Sequence, residues 1–530
     1  MTTPIAQLRP ARVEVIAVGT LADELGLELE GIGTSPADAA TTVSGVTMAS
    51  DDVAPGELFA AVPGARVHGA RFASAAVAAG ARAVLTDADG ARLLREEHAL
   101  TPGAPDVAVL VAEDPRAVVG PLAARVYGHP ARRLVTAGVT GTNGKTTTSY
   151  LVDAALRATH ASTAVLGTVE LRIGDVTVES PRTTVEAPVL HRLLALAVER
   201  GVGAVSLEVS SHALALHRVD GLTVDVAGFT NLTRDHLDFH GDMAGYYRDK
   251  ARLFTPDHAR RGVVCVDDEW TARLGAESPV PVDRVRTRDG DAAADWVVSE
   301  TTVGLDGVAS TFTLAGPEGI RLRASCPLPG RVNVSNAALA VVMAYRAGVP
   351  LDAAVDAVAR MSGVPGRMER VGERGEGRPL AVVDYAHTPD ALELALEAVR
   401  PITPGRIILV FGSDGDRDQG KRPMMGAIAA RLADVVVVTD ENPRSEDPAT
   451  IRAAILDGVR EVRGAGLPDV QEADSRVDAL RRAVEIAQEA DTIIVTGKGH
   501  EPTQEIAGVF YRYNDRPALR DALAARWGVS

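Results

Sequence analysis

The residues most able to do chemistry form a glycine-rich loop, V-T-G-T-N-G-K-T-T at positions 139–147. The apolar run 134–137 precedes the loop and predicts a buried strand, and residues 149–156 after it predict a helix. This succession of strand, glycine loop, Lys-Thr and helix cradles phosphates, because backbone N–H groups and the helix N-terminus point at the anion. The sequence therefore predicts a nucleoside triphosphate site.

Two side chains in this loop extend the prediction. Lys145 can add a point charge, and the Thr146 hydroxyl can bind Mg²⁺. The strict motif has glycine at the position of Val139, so a plain glycine turn with an exposed lysine is the alternative. The flanking strand and helix favour phosphate binding. The predicted nucleotide contacts are Gly141, Thr142, Asn143, Gly144, Lys145, Thr146 and Thr147.

Acidic and histidine side chains follow two other predicted strands of the same region. Glu208 ends the strand 204–208, and the segment 231–241 follows the strand 224–229. Because the carboxyl ends of parallel strands meet at one edge of a sheet, Glu208 and His236 are predicted to hold Mg²⁺ against phosphate oxygens. A solvated polar loop is the alternative. The other possible ligands in the second segment are Asp235, Asp238 and His240.

Composition excludes several classes of function. The chain has 530 residues, a net charge of −16 and no basic block, which disfavours nucleic-acid binding as its main role. Cys265 and Cys326 form no motif and are predicted to be buried thiols of a reducing compartment. No signal peptide is found, and no apolar run approaches the roughly 18 residues of a membrane span. We expect a cytoplasmic protein and a monomer.

The chain is expected to fold into three domains, at 1–128, 129–363 and 364–530, with His129 to Arg132 as the first linker. Apolar runs alternate with helical periodicity in the last two, which predicts an α/β fold with parallel, doubly wound sheets. Helices are predicted at 73–79, 189–199 and 246–254, and Lys250 in the last of these is expected to face solvent on spacing alone. The predicted strands are 83–85, 204–208, 224–229, 263–266, 381–384, 407–411, 435–439 and 492–496.

Seven motifs across nearly the whole chain resemble those of the Mur ligases, the ATP-dependent amide-bond ligases of peptidoglycan precursor synthesis. The resemblance implies a central domain like a P-loop ATPase and a Rossmann-like C-terminal domain. The motifs are G-T-N-G-K-T-T at 141–147, E-V-S-S-H at 208–212, N-L-T-R-D-H at 231–236, G-R-V-N-V-S-N at 330–336, G-R-M-E at 366–369, D-Y-A-H-T-P-D at 384–390 and G-D-R-D at 415–418.

The resemblance also implies a two-step reaction. ATP phosphorylates a substrate carboxylate, and an incoming amine then displaces phosphate from the acyl phosphate. By this resemblance Lys145 contacts the β- and γ-phosphates, Thr146 and Glu208 hold one Mg²⁺, and His236 and Lys250 serve a second. The family's lysine at position 250 is carbamylated, which replaces a repelling ammonium by anionic oxygen ligands.

The remaining site residues are implied in the same way. Asn333 and Asn336 resemble the adenine contacts, and Arg367, Asp384 and His387 resemble ATP contacts made when the third domain closes. The implied acceptor is UDP-N-acetylmuramoyl-L-alanyl-D-glutamate, with Ser50 near its uridine end. The other residues matched to this substrate are Thr183, Thr184, Ser210 and Arg218.

The incoming amino acid is implied by the loop 439–444. Diaminopimelate differs from lysine by a distal carboxylate, which a guanidinium such as that of Arg444 can hold through two hydrogen bonds. Family members that add meso-diaminopimelate have Asp-Asn-Pro-Arg here, and this chain has Glu441 in place of the aspartate. The further residues matched to the amino acid are Arg417, Asn442, Gly497 and Glu501.

Three alternatives remain open. The same ligation could use L-lysine, or the chain could be a related ligase such as a folylpolyglutamate synthase, although the 442–444 loop argues against both. A protein of another class, a non-catalytic switch that binds ATP and regulates a partner, would bind nucleotide without turnover stimulated by an amine.

Overall fold

The computed structural model describes residues 5–32, 38–100, 107–304, 309–462 and 468–528. Contacts within the chain divide it into two compact units. The first unit contains residues 1–141, 148–284 and 339–354, and the second contains residues 142–147, 285–338 and 355–530.

The N-terminal part of the first unit is built on a five-stranded sheet in the order β2-β7-β6-β5-β4. Two apolar clusters cover its faces, one of them around Leu58 and Leu110 and the other around Phe59 and Val109. The strands are β1 (Ile16–Ala17), β2 (Glu28–Ile32), β3 (Thr42–Val43), β4 (Val46–Thr47), β5 (Leu58–Ala60), β6 (Ala83–Thr86) and β7 (Val107–Val111), and the helices are α1 (Val18–Leu25), α2 (Ala73–Ala78), α3 (Ala88–Leu100) and α4 (Pro115–Val126).

The rest of the first unit carries strands in the order β11-β10-β9-β12-β8-β13-β14, of which the last five run parallel. The strands are β8 (Val135–Thr140), β9 (Thr163–Leu166), β10 (Glu170–Ile173), β11 (Val176–Glu179), β12 (Ala204–Glu208), β13 (Val226–Phe229) and β14 (Gly262–Cys265). The helices are α5 (Lys145–Leu156), α6 (Ala187–Glu199), α7 (Ser211–Ala215), α8 (Leu237–His240), α9 (Met243–Ala251) and α10 (Glu269–Glu277). The parallel order places the ends of β8, β9, β12 and β13 at one edge.

Between this region and the C-terminal domain, β16 pairs antiparallel with β17, and β17 with β18. The elements are β15 (Val282–Arg286), β16 (Trp296–Thr302), β17 (Ser310–Ala315), β18 (Arg321–Cys326), α11 (Arg331–Arg346) and α12 (Leu351–Ala359). The antiparallel strands were not predicted, because their polar and apolar residues alternate without a continuous apolar run.

The C-terminal part of the second unit has a six-stranded sheet in the order β19-β20-β24-β21-β22-β23, in which only β19 is antiparallel. The strands are β19 (Glu369–Gly372), β20 (Leu380–Val383), β21 (Ile407–Phe411), β22 (Val435–Val438), β23 (Asp469–Glu472), β24 (Thr492–Val495), β25 (Thr503–Ile506) and β26 (Val509–Arg512). The helices are α13 (Pro389–Val399), α14 (Lys421–Leu432), α15 (Pro448–Glu461), α16 (Arg476–Ile486) and α17 (Asp515–Trp527).

Every strand and helix predicted above is present, with each end within four residues of the predicted one, and Cys265 and Cys326 are free and buried, as predicted. The interpretation of 129–132 as a linker stays a prediction. Pro130–Arg133 forms a short 3₁₀ helix with Pro130 buried, because it packs against α6. In the described part of the chain, no helix combines the length and the apolar character that a bilayer crossing requires.

Candidate active site

Four strand ends meet at one edge of the parallel sheet in the first unit. Gly141 follows β8, Thr168 follows β9, Glu208 ends β12 and Thr230 follows β13. Gly141 has a φ of 144°, and a Cβ atom there would overlap Thr230 Oγ1, so only glycine fits. The predicted loop and the predicted acid therefore lie at the same edge.

Glu208 is a buried carboxylate, 1% exposed. Its Oε1 accepts a hydrogen bond from Thr168 N at 2.7 Å, and its Oε2 accepts one from Thr168 Oγ1 at 3.0 Å. Both donors are neutral, and they fix the orientation of the carboxylate. Thr168 was not predicted as a site residue, because β9, which it follows, was not predicted as a strand.

Lys250 does not face solvent, so the expectation from spacing was wrong. The residue is 1% exposed because α9 packs its last turn against the phosphate loop. Nζ donates to Gly141 O at 2.7 Å and lies 4.6 Å from the centre of the Tyr246 ring. The structure thus brings the lysine singled out by the family resemblance to the backbone of the predicted phosphate loop.

His236 stands at the start of α8 with a φ of 53° and an exposed side chain, and its ring packs edge-on against His212 at 4.8 Å. The acidic and histidine residues around it diverge, since Asp238 is exposed and His240 turns inward to Asp249. Among the residues that the structure describes, no three His, Cys, Asp or Glu side chains converge to form a metal-binding group. A Mg²⁺ ion here would take further oxygens from phosphate and water, as this ion usually does.

Three of the residues matched to the acceptor surround Glu208. Thr183 Oγ1 lies 3.1 Å from Thr168 Oγ1. Thr184 Oγ1 donates to Glu208 O at 2.9 Å and accepts from Ser210 N at 3.1 Å. The structure therefore links Thr184 and Ser210 to the strand end that carries the acid, and it links Thr183 to the acid through Thr168.

The other two acceptor residues have different surroundings. Arg218 lies 3.0 Å from Glu186, a carboxylate that also pairs with Arg182. Burial lowers the pKa of Arg218. Ser50 lies in the turn after β4, two residues before Asp52, which pairs with Arg9 and Arg192. Arg218 therefore already has a protein carboxylate partner, and Ser50 sits beside a charged network of its own.

In the second unit, the tip of the loop packs against the start of α11. Lys145 Nζ donates to Thr142 O at 2.9 Å. Gly144 has a φ of 86°, and a Cβ atom there would overlap Asn336 Oδ1. Asn336 Nδ2 donates to Asn333 Oδ1 at 3.2 Å, and Asn333 Nδ2 donates to Pro329 O at 2.7 Å. The two predicted adenine contacts are thus fixed in orientation next to the loop.

The predicted ATP contacts after residue 363 lie together in the same unit. Arg367 stacks on the Tyr385 ring at 4.1 Å, and its Nη2 donates to Thr146 Oγ1 at 3.3 Å. Asp384 is held by the N–H groups of Met368 and Ala386, and burial raises the pKa of its carboxyl group.

His387 also contacts Tyr385, with the two ring centres 4.6 Å apart. Tyr385 thus contacts both the predicted Arg367 and the predicted His387. No role was predicted for this ring, although it lies in the motif D-Y-A-H-T-P-D at 384–390.

The carboxyl edge of the six-stranded sheet gathers the residues matched to the amino acid. Asn442 Nδ2 donates to Glu501 Oε2 at 3.0 Å, and Lys498 Nζ donates to both Asn442 Oδ1 and Glu501 Oε2, at 2.8 and 3.0 Å. Gly497 has a φ of 109°, and a Cβ atom there would overlap the Glu441 carboxylate. Lys498 was missed, although the sequence places it inside a Gly-Lys-Gly loop at a strand end.

The two arginines of this group differ. Arg444 has a φ of 54°, and its guanidinium approaches Asp414 at 3.9 Å and Glu505 at 4.0 Å. Its Nε is buried without a hydrogen-bond partner. Arg417 lies in the exposed stretch 416–420, so the structure does not bring it into the cluster around Glu441.

Glu441 provides a test by pH. The residue is buried, its Oε2 has no hydrogen-bond partner, and burial with the charge of Asp414 raises the pKa of its carboxyl group from 4.5 to about 8. The folded state therefore binds a proton that the unfolded state releases between these values, so the stability of the wild type falls as the pH rises through this window. Glu441→Gln, which stays neutral, is expected to be more stable than the wild type at pH 9.

The comparison of the two proteins in urea at pH 5 and pH 9 checks this expectation. The difference in unfolding free energy should be larger at pH 9 and should stop growing above pH 8. Glu393→Gln, at an exposed position that pairs with Arg431 at 3.6 Å, is the matched control and should show no such window. An equal difference at both pH values would contradict a buried, neutral Glu441.

Three family models match the chain. They are the Mur ligase family, catalytic domain at residues 42–127, the Mur ligase middle domain at 139–344 and the Mur ligase, glutamate ligase domain at 366–499. Each match lies inside one of the three predicted domains. The α/β fold with three domains is confirmed, while the residues at which the domains meet stay predictions.

Curated relatives are similar over almost the full length. A UDP-N-acetylmuramoyl-L-alanyl-D-glutamate--2,6-diaminopimelate ligase from Streptomyces coelicolor is 48% identical over 98% of this chain and 99% of its own. A UDP-N-acetylmuramyl-tripeptide synthetase from Leifsonia xyli is 46% identical, with 91% of each chain covered.

Solved structures agree with this result. A UDP-N-acetylmuramoyl-L-alanyl-D-glutamate--2,6-diaminopimelate ligase has a TM-score of 0.63 and 30% identity, with 99% of each chain covered. A folylpolyglutamate synthase from Mycobacterium tuberculosis, at 19% identity and a TM-score of 0.55, covers 78% of this chain and 95% of its own and shares the fold alone. Since relatives well above 30% identity cover nearly all of it, the chain belongs to the Mur ligase family.

Proposed function

We propose that this chain is an ATP-dependent ligase that adds meso-2,6-diaminopimelate to UDP-N-acetylmuramoyl-L-alanyl-D-glutamate, a step of peptidoglycan precursor synthesis. The observation that carries the proposal is the buried Lys250, which donates to Gly141 O of the phosphate loop at 2.7 Å. A buried ammonium is costly, and such groups concentrate where chemistry needs them. The Streptomyces coelicolor relative, at 48% identity, bears the name of this activity.

The loop residues fit a triphosphate. Side chains are excluded at Gly141 and Gly144, so backbone N–H groups can approach phosphate oxygens closely. When bound, ATP supplies the phosphoryl group that turns a carboxylate into a good acyl donor. Lys145 then neutralises phosphate charge, and Asn333 with Asn336 offers the donors and acceptors that an adenine edge requires.

The donor set also fits Mg²⁺, which prefers oxygen ligands. Thr146 and Glu208 offer a hydroxyl and a carboxylate, and His236 with Lys250 completes the predicted set. When bound, the ion would neutralise the charge of the two anions that must meet. A carbamate on Lys250 would supply anionic oxygens where an ammonium would repel the metal. These assignments are our proposal for the chain.

The amino-acid end of the site is proposed at the carboxyl edge of the six-stranded sheet. Glu501 can bind the distal ammonium of diaminopimelate and Arg444 its distal carboxylate. Glu441, Asn442 and Gly497 shape the cleft between them, and Arg417 would join only if its exposed loop moves inward. Closure that excludes water would protect the acyl phosphate from hydrolysis.

A coupled assay tests the proposed function. Purified protein receives ATP, Mg²⁺, the UDP-muramoyl dipeptide and one amino acid from a panel that includes diaminopimelate, L-lysine and L-glutamate. ADP and a tripeptide product should form with diaminopimelate far faster than with the other two. Product with lysine alone would favour the lysine-adding alternative, and nucleotide binding with no amine-stimulated turnover would favour the switch.

Replacement of Lys250 tests the carbamate. Lys250→Ala should lose at least about a hundred-fold in kcat, the range for one lost electrostatic group in an active site. Added acetate or propionate should restore part of the activity, because a free carboxylate can occupy the vacated space. The measurement is the rate of phosphate release against the concentration of added acid.

The chain offers a clean spectroscopic control, because it has only four lysines, Lys145, Lys250, Lys421 and Lys498. ¹³C-labelled bicarbonate should give one carbamate resonance in the wild type and none in Lys250→Ala. Wild-type activity in Lys250→Ala, or a carbamate resonance that survives the change, would remove this role from Lys250.

A further inference from the structure

A buried hydrogen-bond chain in the first unit joins three elements next to the proposed phosphate edge. His240 Nδ1 lies 2.6 Å from Asp249 Oδ2, and His240 Nε2 lies 3.0 Å from Ser211 Oγ. The His240 side chain is 0% exposed and Ser211 is buried. The mechanism proposed above uses none of these three residues.

The donor and the acceptor of each hydrogen bond in this chain follow from the chemistry of the three side chains. A carboxylate can only accept from the ring, so Asp249 fixes the proton on Nδ1, and Nε2 then accepts from the Ser211 hydroxyl. The serine is buried and has no route to a substrate, so it is not placed as a nucleophile. The arrangement instead holds the imidazole ring in one orientation.

Each end of this hydrogen-bond chain is one residue away in sequence from a residue of the proposed site. Asp249 precedes Lys250 on α9, and Ser211 follows Ser210, whose N–H binds Thr184 beside Glu208. The His240 ring also packs on Tyr246 at 5.0 Å, and the same Tyr246 ring lies 4.6 Å from Lys250 Nζ. His240 therefore contacts Asp249, which precedes the buried lysine in sequence, and Tyr246, whose ring lies beside the lysine in space.

Backbone packing keeps this contact close. A Cβ atom at Gly245 would overlap His240 O, so α9 can approach the end of α8 only with glycine at that position. Asp242 caps α9 by accepting from Gly245 N at 2.7 Å. The turn between α8 and α9 is thus shaped to deliver the His240 ring to Asp249.

We propose that His240 is a positioning residue for the ligation, which fixes Lys250 on α9 against the Ser210–Ser211 segment through Asp249 and Ser211. The inference rests on the proposed function. A shift of about 1 Å in a reacting group can cost on the order of a hundred-fold in rate. The loss should therefore appear in kcat, while the residues that bind ATP and diaminopimelate stay in place.

The test measures steady-state kinetics and melting temperature for a small set of variants. His240→Ala should lower kcat by about ten- to a hundred-fold, with KM for ATP and for diaminopimelate within about three-fold of the wild type. His240→Asn can still donate to Asp249 and should recover part of kcat. The double variant Ser211→Ala/His240→Ala should be no slower than His240→Ala, since both changes break the same chain.

Thr163→Val is the matched control for stability. Its hydroxyl makes a buried hydrogen bond to Asp153 at 2.6 Å, at the opposite, amino-terminal end of β9. This variant should lose melting temperature as His240→Ala does and keep the wild-type kcat. The proposal is overturned if folded His240→Ala keeps the wild-type kcat, if its loss equals that of Thr163→Val, or if the two changes in the double variant are additive. Turnover of diaminopimelate by the wild type is a separate test, because it depends on the proposed function and not on the role of His240.

Discussion

Lys145→Met is expected to lower ligation by at least about a thousand-fold. One lost donor to a developing anion typically costs a hundred- to a thousand-fold, and here a full positive charge is lost as well. Lys145 Nζ is held over the loop by Thr142 O at 2.9 Å, which keeps the ammonium close to the N–H groups that would face the phosphates. Methionine keeps the length of the side chain and removes the charge.

Two quantities are measured. One is the rate of ADP formation with both substrates saturating, and the other is the affinity for ATP in a direct binding experiment. Lys145→Arg should be partly active, because it keeps the charge but changes its shape. Arg157→Ala is the matched control, since it removes a positive charge from an exposed position near the other end of α5. Lys145→Met with more than about a tenth of the wild-type rate would show that the loop does not place this lysine on the phosphates.

The small number of lysines in the chain also supports a functional role for Lys145. There are four lysines and 51 arginines. Lys145 and Lys250 bind backbone carbonyls of the loop, Lys498 binds Asn442 and Glu501, and Lys421 donates to His387 O at 2.9 Å. Surface positions tolerate either cation, whereas a compact ammonium and a planar guanidinium differ in a built site. Each of the four lysines thus contacts the predicted phosphate loop or a residue matched to ATP or to the amino acid.

Continuous apolar runs made many of the parallel strands predictable, although β7, β9 and β23 were not predicted. The runs 204–208 and 407–411 match β12 and β21 residue for residue, because a strand covered on both faces needs apolar side chains throughout. The carboxyl edge of the first of these sheets followed from this, and with it the gathering of Glu208 near the loop, whereas Glu441 and Gly497 were assigned to one site only through the family resemblance. The order of strands in each sheet did not follow, since pairing depends on contacts distant in sequence.

Sequence periodicity did not predict whether these single side chains are buried or exposed. Lys250 lies on a helix whose spacing suits solvent, yet it is buried because α9 packs on Gly141. The acidic and histidine segment 235–240 offered several possible metal ligands, but His236 takes a left-handed backbone conformation before α8 and is exposed, whereas the His240 side chain is buried. A pattern gives the direction of a residue relative to its own helix, whereas burial is set by the partner element.

Arg444→Ala is expected to abolish the preference for diaminopimelate over lysine. The backbone at Arg444 is fixed, since its N–H donates to Glu505 O and its carbonyl accepts from Ala507 N, so the change should leave the loop in place. The guanidinium is 3.9 Å or more from its two carboxylate neighbours, and its buried Nε lacks a partner. Buried donors of this kind usually have a partner, and a distal carboxylate would supply it.

The expected size follows from the loss of a buried charge partner, about 2–5 kcal/mol, which is a fall of at least about thirty-fold in kcat/KM for diaminopimelate. The kcat/KM for lysine, which has no distal carboxylate, should change little. The ratio of kcat/KM for diaminopimelate to kcat/KM for lysine should therefore fall by the same factor. Arg444→Lys keeps the charge but cannot form two parallel hydrogen bonds to one carboxylate. Its preference for diaminopimelate over lysine should therefore lie between those of the wild type and Arg444→Ala. Arg460→Ala, which removes an exposed arginine paired with Asp457, should leave both values unchanged. An unaltered ratio in Arg444→Ala would move the choice of amino acid to other residues of the cleft, because the charge that separates the two substrates would then be recognised elsewhere.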